Sequence, residues 1–341
     1  MKKNIVLRIL IFSIFFFIAL NIVPANIFAK TIDVYVSVYP VYDITSAIAA
    51  DRANVHLTVP SGTEIHGYEP SPKKIAAIEK ADVFFYIGQG LESWAEKIVK
   101  NLENLDIQTV KLSEGLELVK YDNLEHNHED DKDESVQKNE AHHHEDDAHN
   151  HSEEEHDIHE TEAHTHGQYD PHVWLNPMNM KEMARVVKEK LISMDTDNKE
   201  FYQENYQEYV KRLNNLDMEY KETLAEKDSN YILVSHAAFG YLGDRYGFKQ
   251  LSVSGLSSHA EPSPGNLAKL LREVKEHEIK YIFKETLANP RLVEVVAQEA
   301  NLEILVLNPI GGLMVDEEKR GEDYFSIMKE NLKNLKKALV N

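Results

Sequence analysis

Val83-Phe84-Phe85-Tyr86-Ile87 is an unbroken apolar run. A strand with one wet face alternates apolar and polar side chains, whereas a strand covered on both faces is apolar throughout. The run is therefore predicted to be a buried strand of a parallel sheet. Upstream, Ser71-Pro72 opens a helix, with serine as N-cap and proline at the first helical position. Before that come a strand from Val55 to Val59, a helix from about Val41 to Ala50, and a strand at Ile32-Asp33-Val34-Tyr35-Val36-Ser37-Val38. Downstream, Glu92 to Leu102 is helical and Thr109 to Leu112 is a short strand. Strands alternating with helices imply a parallel sheet covered by helices, an α/β fold.

The second half repeats the plan. Tyr231-Ile232-Leu233-Val234-Ser235 is a strand, followed by a helix to about Arg245 and a strand from Gln250 to Val253. Ser263-Pro264 starts another helix, Tyr281 to Lys284 is a strand, and Arg291 to Ala300 is helical. Glu303 to Leu307 is the last strand and Tyr324 to Val340 the last helix. Glu-Pro-Ser-Pro precedes a helix in each half, at Glu69 to Pro72 and Glu261 to Pro264. Two similar α/β lobes are the simplest reading; shared capping chemistry alone is the alternative. Between them, Asn198 to Lys227 contains neither Gly nor Pro and carries apolar residues at helical spacing, with Asp197 as N-cap. That predicts one long, rigid linking helix on the order of 45 Å. The expected division is residues 1–29 as an export signal, 30–196 and 228–341 as lobes, and 197–227 as the linking helix.

The N-terminus supports the first of these assignments. Lys2, Lys3 and Arg8 bracket the start of an apolar run from Ile5 to Leu20, and Ile27-Phe28-Ala29 is a small-residue cleavage site. A retained anchor is the alternative, since the run is almost long enough to span a bilayer. The sequence has no cysteine, which excludes disulfides, cysteine metal sites, cysteine nucleophiles and a cysteine-linked lipid. The expected product is exported to the periplasm or the outer face of the membrane, and is not a lipoprotein.

Residues 121–167 interrupt the first lobe. Seventeen Asp and Glu face only Lys132 and Lys138 there, so most of the formal charge of -21 sits in this segment. The rest is mildly acidic and lacks a basic stripe, which argues against nucleic acid. The segment also holds eleven histidines, among them His142, His143 and His144, and almost no aliphatic residue. It is predicted to be disordered. It reads either as a solvated spacer or as a weak, multi-site metal collector, since imidazole suits zinc, copper and nickel.

The remaining histidines are His56, His66, His172, His236, His259 and His277. His56 alternates with apolar neighbours in a strand and His277 lies among charges, so both read as structural or solvent-exposed. His66 follows a strand in Gly62-Thr63-Glu64-Ile65-His66-Gly67-Tyr68-Glu69-Pro70. His172 lies in Asp170-Pro171-His172-Val173-Trp174-Leu175-Asn176-Pro177, and His236 ends a strand in Ser235-His236-Ala237-Ala238-Phe239-Gly240. Ligands of open α/β sheets gather at the carboxyl ends of strands. These three histidines are thus candidates to converge on a metal in the cleft between the lobes.

These segments resemble the zinc-binding solute receptors of ABC metal importers, the ZnuA-like and AdcA-like proteins, over nearly the whole chain after the signal. His66 to Pro72 matches the family's His-x-Tyr-Glu-Pro-(Ser/Thr)-Pro motif, His172 its Asp-Pro-His-x-Trp-Leu motif, and His236 to Tyr241 its His-x-Ala-Phe-Gly-Tyr motif. The resemblance implies two lobes joined by a single helix and an acidic His-rich insertion before the second ligand. It also implies Zn2+ held by His66, His172 and His236, and delivery to an ABC permease with its ATPase; the protein is expected to be monomeric. Manganese receptors and adhesins of the same fold usually carry a carboxylate where this chain has His236. One departure stands out: relatives often place a glutamate ligand in an Asn-Pro-Leu-Glu turn, and Asn308-Pro309-Ile310-Gly311-Gly312 puts Gly311 at that place. The fourth ligand is then expected to be water, with His259, Glu285 and Asp316 as side-chain rivals.

Three neutral imidazoles suit zinc better than manganese or magnesium, though copper(II), nickel and cobalt fit such a site too. Three histidines and a water also describe a zinc hydrolase, but no His-Glu-x-x-His helix or nucleophile elbow occurs, so no enzyme is expected. An extracellular adhesin, or a metal buffer acting without an importer, is a further reading. If the acidic segment is an accessory collector, deleting Asp122 to His166 leaves the fold and one tight zinc site intact and removes several weaker zinc equivalents. Isothermal titration of the two forms distinguishes them, and loss of the tight site on deletion would show the segment to be the main site.

Overall fold

The computed structural model describes residues 31–121, 169–256 and 262–340. The expected export signal, the acidic His-rich segment and His259 lie outside the described residues. Among the described residues, two four-stranded parallel sheets form. The first contains β1 (Ile32–Val36), β2 (Ala53–Leu57), β3 (Val83–Tyr86) and β4 (Gln108–Lys111) in the order β2-β1-β3-β4. The second contains β5 (Tyr231–His236), β6 (Lys249–Ser254), β7 (Tyr281–Lys284) and β8 (Glu303–Val306) in the order β6-β5-β7-β8. The orders are equivalent, as the repeated pattern of the two halves requires. All four residues of β3 are buried, which is why the run shows no alternation.

In the first half, α1 (Tyr39–Ala49), α2 (Pro72–Ile78) and α3 (Ser93–Asn104) flank the sheet. The middle of the chain forms α4 (Pro177–Met194) and α5 (Lys199–Thr223). The second half adds α6 (Gly240–Tyr246), α7 (Pro264–Glu276), α8 (Arg291–Ala300), α9 (Val315–Lys319) and α10 (Tyr324–Leu339). Both Glu-Pro-Ser-Pro strings act as helix starts. Ser71 accepts from the Lys74 amide at 3.3 Å, and Ser263 accepts from the Asn266 amide at 3.2 Å. The side-chain oxygen satisfies one of the amides left unpaired at a helix start.

The 25 residues of α5 span about 37 Å. The helix starts later than Asp197, which instead lies in a 3-10 turn, Thr196–Asn198, ahead of it. Tyr202, Tyr209, Leu213, Leu216 and Tyr220 form its buried stripe. That stripe packs on α1 and α4 at one end and on α10 at the other.

The principal hydrophobic core is continuous through both halves. It includes Val34, Phe84 and Trp94 beside the first sheet, Trp174 and Tyr220 in the middle, and Val234, Phe239, Tyr324 and Leu335 beside the second. A smaller cluster around Leu233, Leu251, Ile282 and Val296 lies against α7 and α8. Polar contacts stitch the same seam. The carboxylate of Asp43 on α1 accepts from the Tyr209 hydroxyl at 2.7 Å and the Tyr324 amide at 3.2 Å. Burial pushes the Asp43 carboxyl above its usual range. Trp174 Nε1 donates to the Pro309 carbonyl at 2.7 Å, and the Tyr324 hydroxyl donates to the Trp174 carbonyl at 2.8 Å.

The Trp174 ring is fully buried, so its two losses can be separated. Trp174→Phe keeps most of the ring but leaves the Pro309 carbonyl unpaired, an expected cost of about 1–2 kcal/mol. Trp174→Ala also opens a cavity, an expected cost of about 3–5 kcal/mol. Urea unfolding of the two variants reads both values; equal midpoints for Trp174→Ala and the unaltered chain would refute the placement of this ring.

Candidate metal centre

His66, His172 and His236 reach one point from three directions. His66 hangs from the loop that follows β2. Gly62 opens that loop at a φ of 80°, in the left-handed region that glycine enters without steric cost. Its amide donates to the Leu313 carbonyl of the second half at 2.7 Å.

His172 sits in a segment where most positions have a local task. The Asp170 Oδ1 atom binds both the His172 amide at 2.9 Å and its Nδ1 at 2.7 Å. Trp174 anchors the segment across the seam, and Asn176 caps α4 by accepting from the Met178 amide at 2.9 Å. Pro177 takes the first helical position. His236 is the last residue of β5, and its Nδ1 lies 2.5 Å from Glu285 Oε1, just past the end of β7. The Ser235 hydroxyl also donates to that Glu285 oxygen.

The ring nitrogens that remain face one another. His172 Nε2 lies 3.2 Å from His66 Nε2 and 3.4 Å from His236 Nε2. All three ligand atoms fall within 4.8 Å of one another. Bonds of 2.0–2.1 Å in a tetrahedron separate donor atoms by about 3.3 Å, so both measured edges have the length zinc requires. The rings meet at 62° to 84°, so their lone pairs converge without stacking. A cavity of about 20 Å³ adjoins them, with Glu64, Asn308 and Gly311 among its other lining residues. That is little more than one water-sized sphere of roughly 10–15 Å³.

The surroundings set the tautomers. A carboxylate at Nδ1 of His172 and another at Nδ1 of His236 make those nitrogens the donors and direct each Nε2 towards the centre. Burial holds the His172 imidazole well below its usual range, with the His236 charge pushing the same way and Glu285 opposing. Burial also acts downward on His236, but the charge and hydrogen bond of Glu285, followed by Glu64 and Asp170, outweigh it and raise its pKa. Burial lifts the Asp170 carboxyl to about 7, against the His172 amide, the His236 charge and the Gly240 amide.

The three expected ligands are thus brought together, and the other candidates separate. Glu285 lines the cavity but is engaged with His236 and Ser235. Asp316 is 79% exposed in the first turn of α9 and pairs with Lys319 at 3.2 Å, so it is no rival for the fourth position. His56, with its side chain 45% exposed, stacks on Tyr35 and His277 stacks on Tyr231, and neither lines the centre. The first-half loop presses on the glycine pair. A Cβ on Gly311 would stand 2.6 Å from Ile65 Cδ1, and one on Gly312 would stand 3.4 Å from the Thr63 carbonyl oxygen. Sequence reasoning missed Glu64, although a carboxylate two residues before a candidate ligand was a usable signal. Gly240 was quoted only as part of a motif; a Cβ there would stand 2.5 Å from Asp170 Oδ2.

The family model described as zinc-uptake complex component A, periplasmic, ZnuA, matches residues 34–338. The zinc-binding lipoprotein AdcA of Streptococcus pneumoniae (strain ATCC BAA-255 / R6) is 34% identical over 307 residues, 90% of this chain and 56% of that protein. The chain therefore spans just over half the length of that relative. The high-affinity zinc uptake system protein ZnuA of Bacillus subtilis (strain 168) is 35% identical over 302 residues, 89% of this chain and 86% of that protein. Among solved structures, the Zn(II)-bound ZnuA-like domain of Streptococcus pneumoniae AdcA superposes with a TM-score of 0.70 at 32% identity. The match covers 91% of this chain and 99% of that one. With its two equivalent sheets, its histidine centre and a match running almost from end to end, this chain belongs to the ZnuA family.

Proposed function

We propose that this protein is an exported receptor that captures one zinc ion with His66, His172 and His236 and passes it to an ABC importer. The convergence of three imidazoles, with His172 Nε2 at tetrahedral spacing from the Nε2 atoms of His66 and His236, carries the reading. Names of relatives support the cargo and the destination: a zinc-binding lipoprotein and a zinc uptake system protein. Export agrees with the periplasmic description of the family. On anchoring, the AdcA name weighs towards a lipid tether, whereas this sequence offers no cysteine to carry one.

The small cavity favours a carrier over a hydrolase. Substrate pockets occupy roughly 300–1,000 Å³. Here about 20 Å³ adjoins the imidazoles, and His172 and His236 are each 1% exposed. Zinc in this setting is the cargo, and what the chain supplies is a largely buried, pre-oriented donor set. Asp170 and Glu285 aim the two buried rings, and Gly240 leaves room for the Asp170 carboxylate.

Two outcomes follow from that chemistry. A ligating imidazole must be neutral, so protons compete with zinc. His236 holds its proton to a higher pH than an ordinary histidine, while His172 stays neutral, so acid acts first at His236 and zinc is released as pH falls below neutrality. Zinc affinity measured against a chromophoric chelator from pH 8 to pH 5 is expected to fall steadily, and His172→Ala is expected to lose tight binding at every pH. Unchanged affinity in His172→Ala would falsify the assignment. Gly240→Ala, which pushes on Asp170 without touching a histidine, is expected to weaken zinc about tenfold or more. Unaltered affinity there would remove Asp170 from the orienting role.

A further inference from the structure

We propose that Glu64 supplies the fourth ligand to the ion, taking the place left by the side chain that Gly311 lacks. The inference rests on the zinc reading above and extends it to a residue of the first-half loop.

Zinc prefers four donors, and three neutral imidazoles supply neither the fourth donor nor a directly bound anion. A glutamate on the Asn308-Pro309 turn could supply both needs, but this chain has Gly311 there. The consequence of the missing Cβ is visible around it. Ile65 packs into the space at Gly311, and the Thr63 carbonyl lies against Gly312. The Gly62 amide bonds to the Leu313 carbonyl at 2.7 Å. The loop carrying residues 62–66 is thereby seated on the glycine pair, closer than side chains at those positions would allow.

Glu64 lies between two of these anchor points. It lines the same cavity as the three histidines, with its side chain 19% exposed. Its Oε1 is 4.0 Å from His66 Nε2, and its Oε2 accepts from the Gly67 amide at 3.2 Å. A ligand edge of about 3.3 Å requires the carboxylate to swing inward by a side-chain rotation. Carboxylate oxygen is an ordinary zinc donor at about 2.0–2.2 Å. The other described carboxylates at the centre are committed elsewhere: Asp170 to His172, and Glu285 to His236 and Ser235.

The test uses the mature chain loaded with zinc or with cobalt(II), whose visible spectrum reports its ligands. Glu64→Gln is expected to lower zinc affinity at least about tenfold. Its cobalt form is expected to respond to added azide through an exchangeable fourth position, while the unaltered protein stays insensitive. Glu64→Asp is expected to fall between them, and Glu64→Ala provides a second variant should the glutamine form fold poorly. The proposal is overturned if Glu64→Gln and Glu64→Ala bind zinc within about twofold of the unaltered protein, or if the unaltered cobalt form already responds to azide. Failure of the unaltered chain to bind zinc at all would instead overturn the reading of the three histidines, and this inference with it.

Discussion

The bond from the indole N–H of Trp174 to the Pro309 carbonyl is the constraint on which the centre depends. It fixes the segment carrying His172 to the turn carrying Gly311, two parts of the chain that come from different halves. Tyr324 closes the same junction from α10 by donating to the Trp174 carbonyl. Asn331 reinforces it, donating to the Asn308 carbonyl at 2.7 Å and accepting from the Asn308 amide at 2.8 Å. Neutral hydrogen bonds are worth little net when exposed, but a buried one left unmade costs its full desolvation. The junction therefore holds its register more strongly than its bond count suggests.

Around that fixed point the centre divides its labour. Each buried imidazole takes its direction from a carboxylate behind it, while the exposed side of the site is formed by a single loop. Charge follows the same division. His172 is kept neutral by burial, and His236 is drawn towards its charged form by Glu285. An arriving dication replaces the proton of His236 and meets the Asp170 and Glu285 carboxyl groups one hydrogen bond beyond its ligands. Such outer groups orient the ligand rings and raise their basicity at once.

Much of this was legible in the sequence because the physics involved is local. The apolar run Val83 to Ile87 is buried on every side, and Ser71-Pro72 and Ser263-Pro264 start helices by contacts within one turn. The three histidines were legible because each belongs to a string whose neighbours have tasks of their own, such as Asp170 and Asn176. What escaped depends on tertiary approach. Nothing in Asn308-Pro309-Ile310-Gly311-Gly312 announces that Ile65, far away in sequence, fills the space of the absent side chain. Asp316 lies close to the glycine pair in sequence, yet α9 turns it to solvent. The start of α5 was misplaced because a 3-10 turn leads into it and Asn198, at its N-cap, makes no side-chain cap bond.

The continuous core has a consequence for how the site exchanges its ion. Opening the two halves like a book would tear Trp174, Tyr220 and Tyr324 from one another, and each of these rings is fully buried. The loop of residues 60–67 is tied in separately, by the Gly62 amide on the Leu313 carbonyl and by the buried side chain of Ile65 in the principal core. Loops move in nanoseconds to microseconds, whereas collective domain motions take microseconds to milliseconds. A movement confined to that loop would shift His66 while His172 and His236 keep the carboxylate contacts that orient them. Two of the three donors are thus fixed to the block that joins the halves, and the third hangs from a loop.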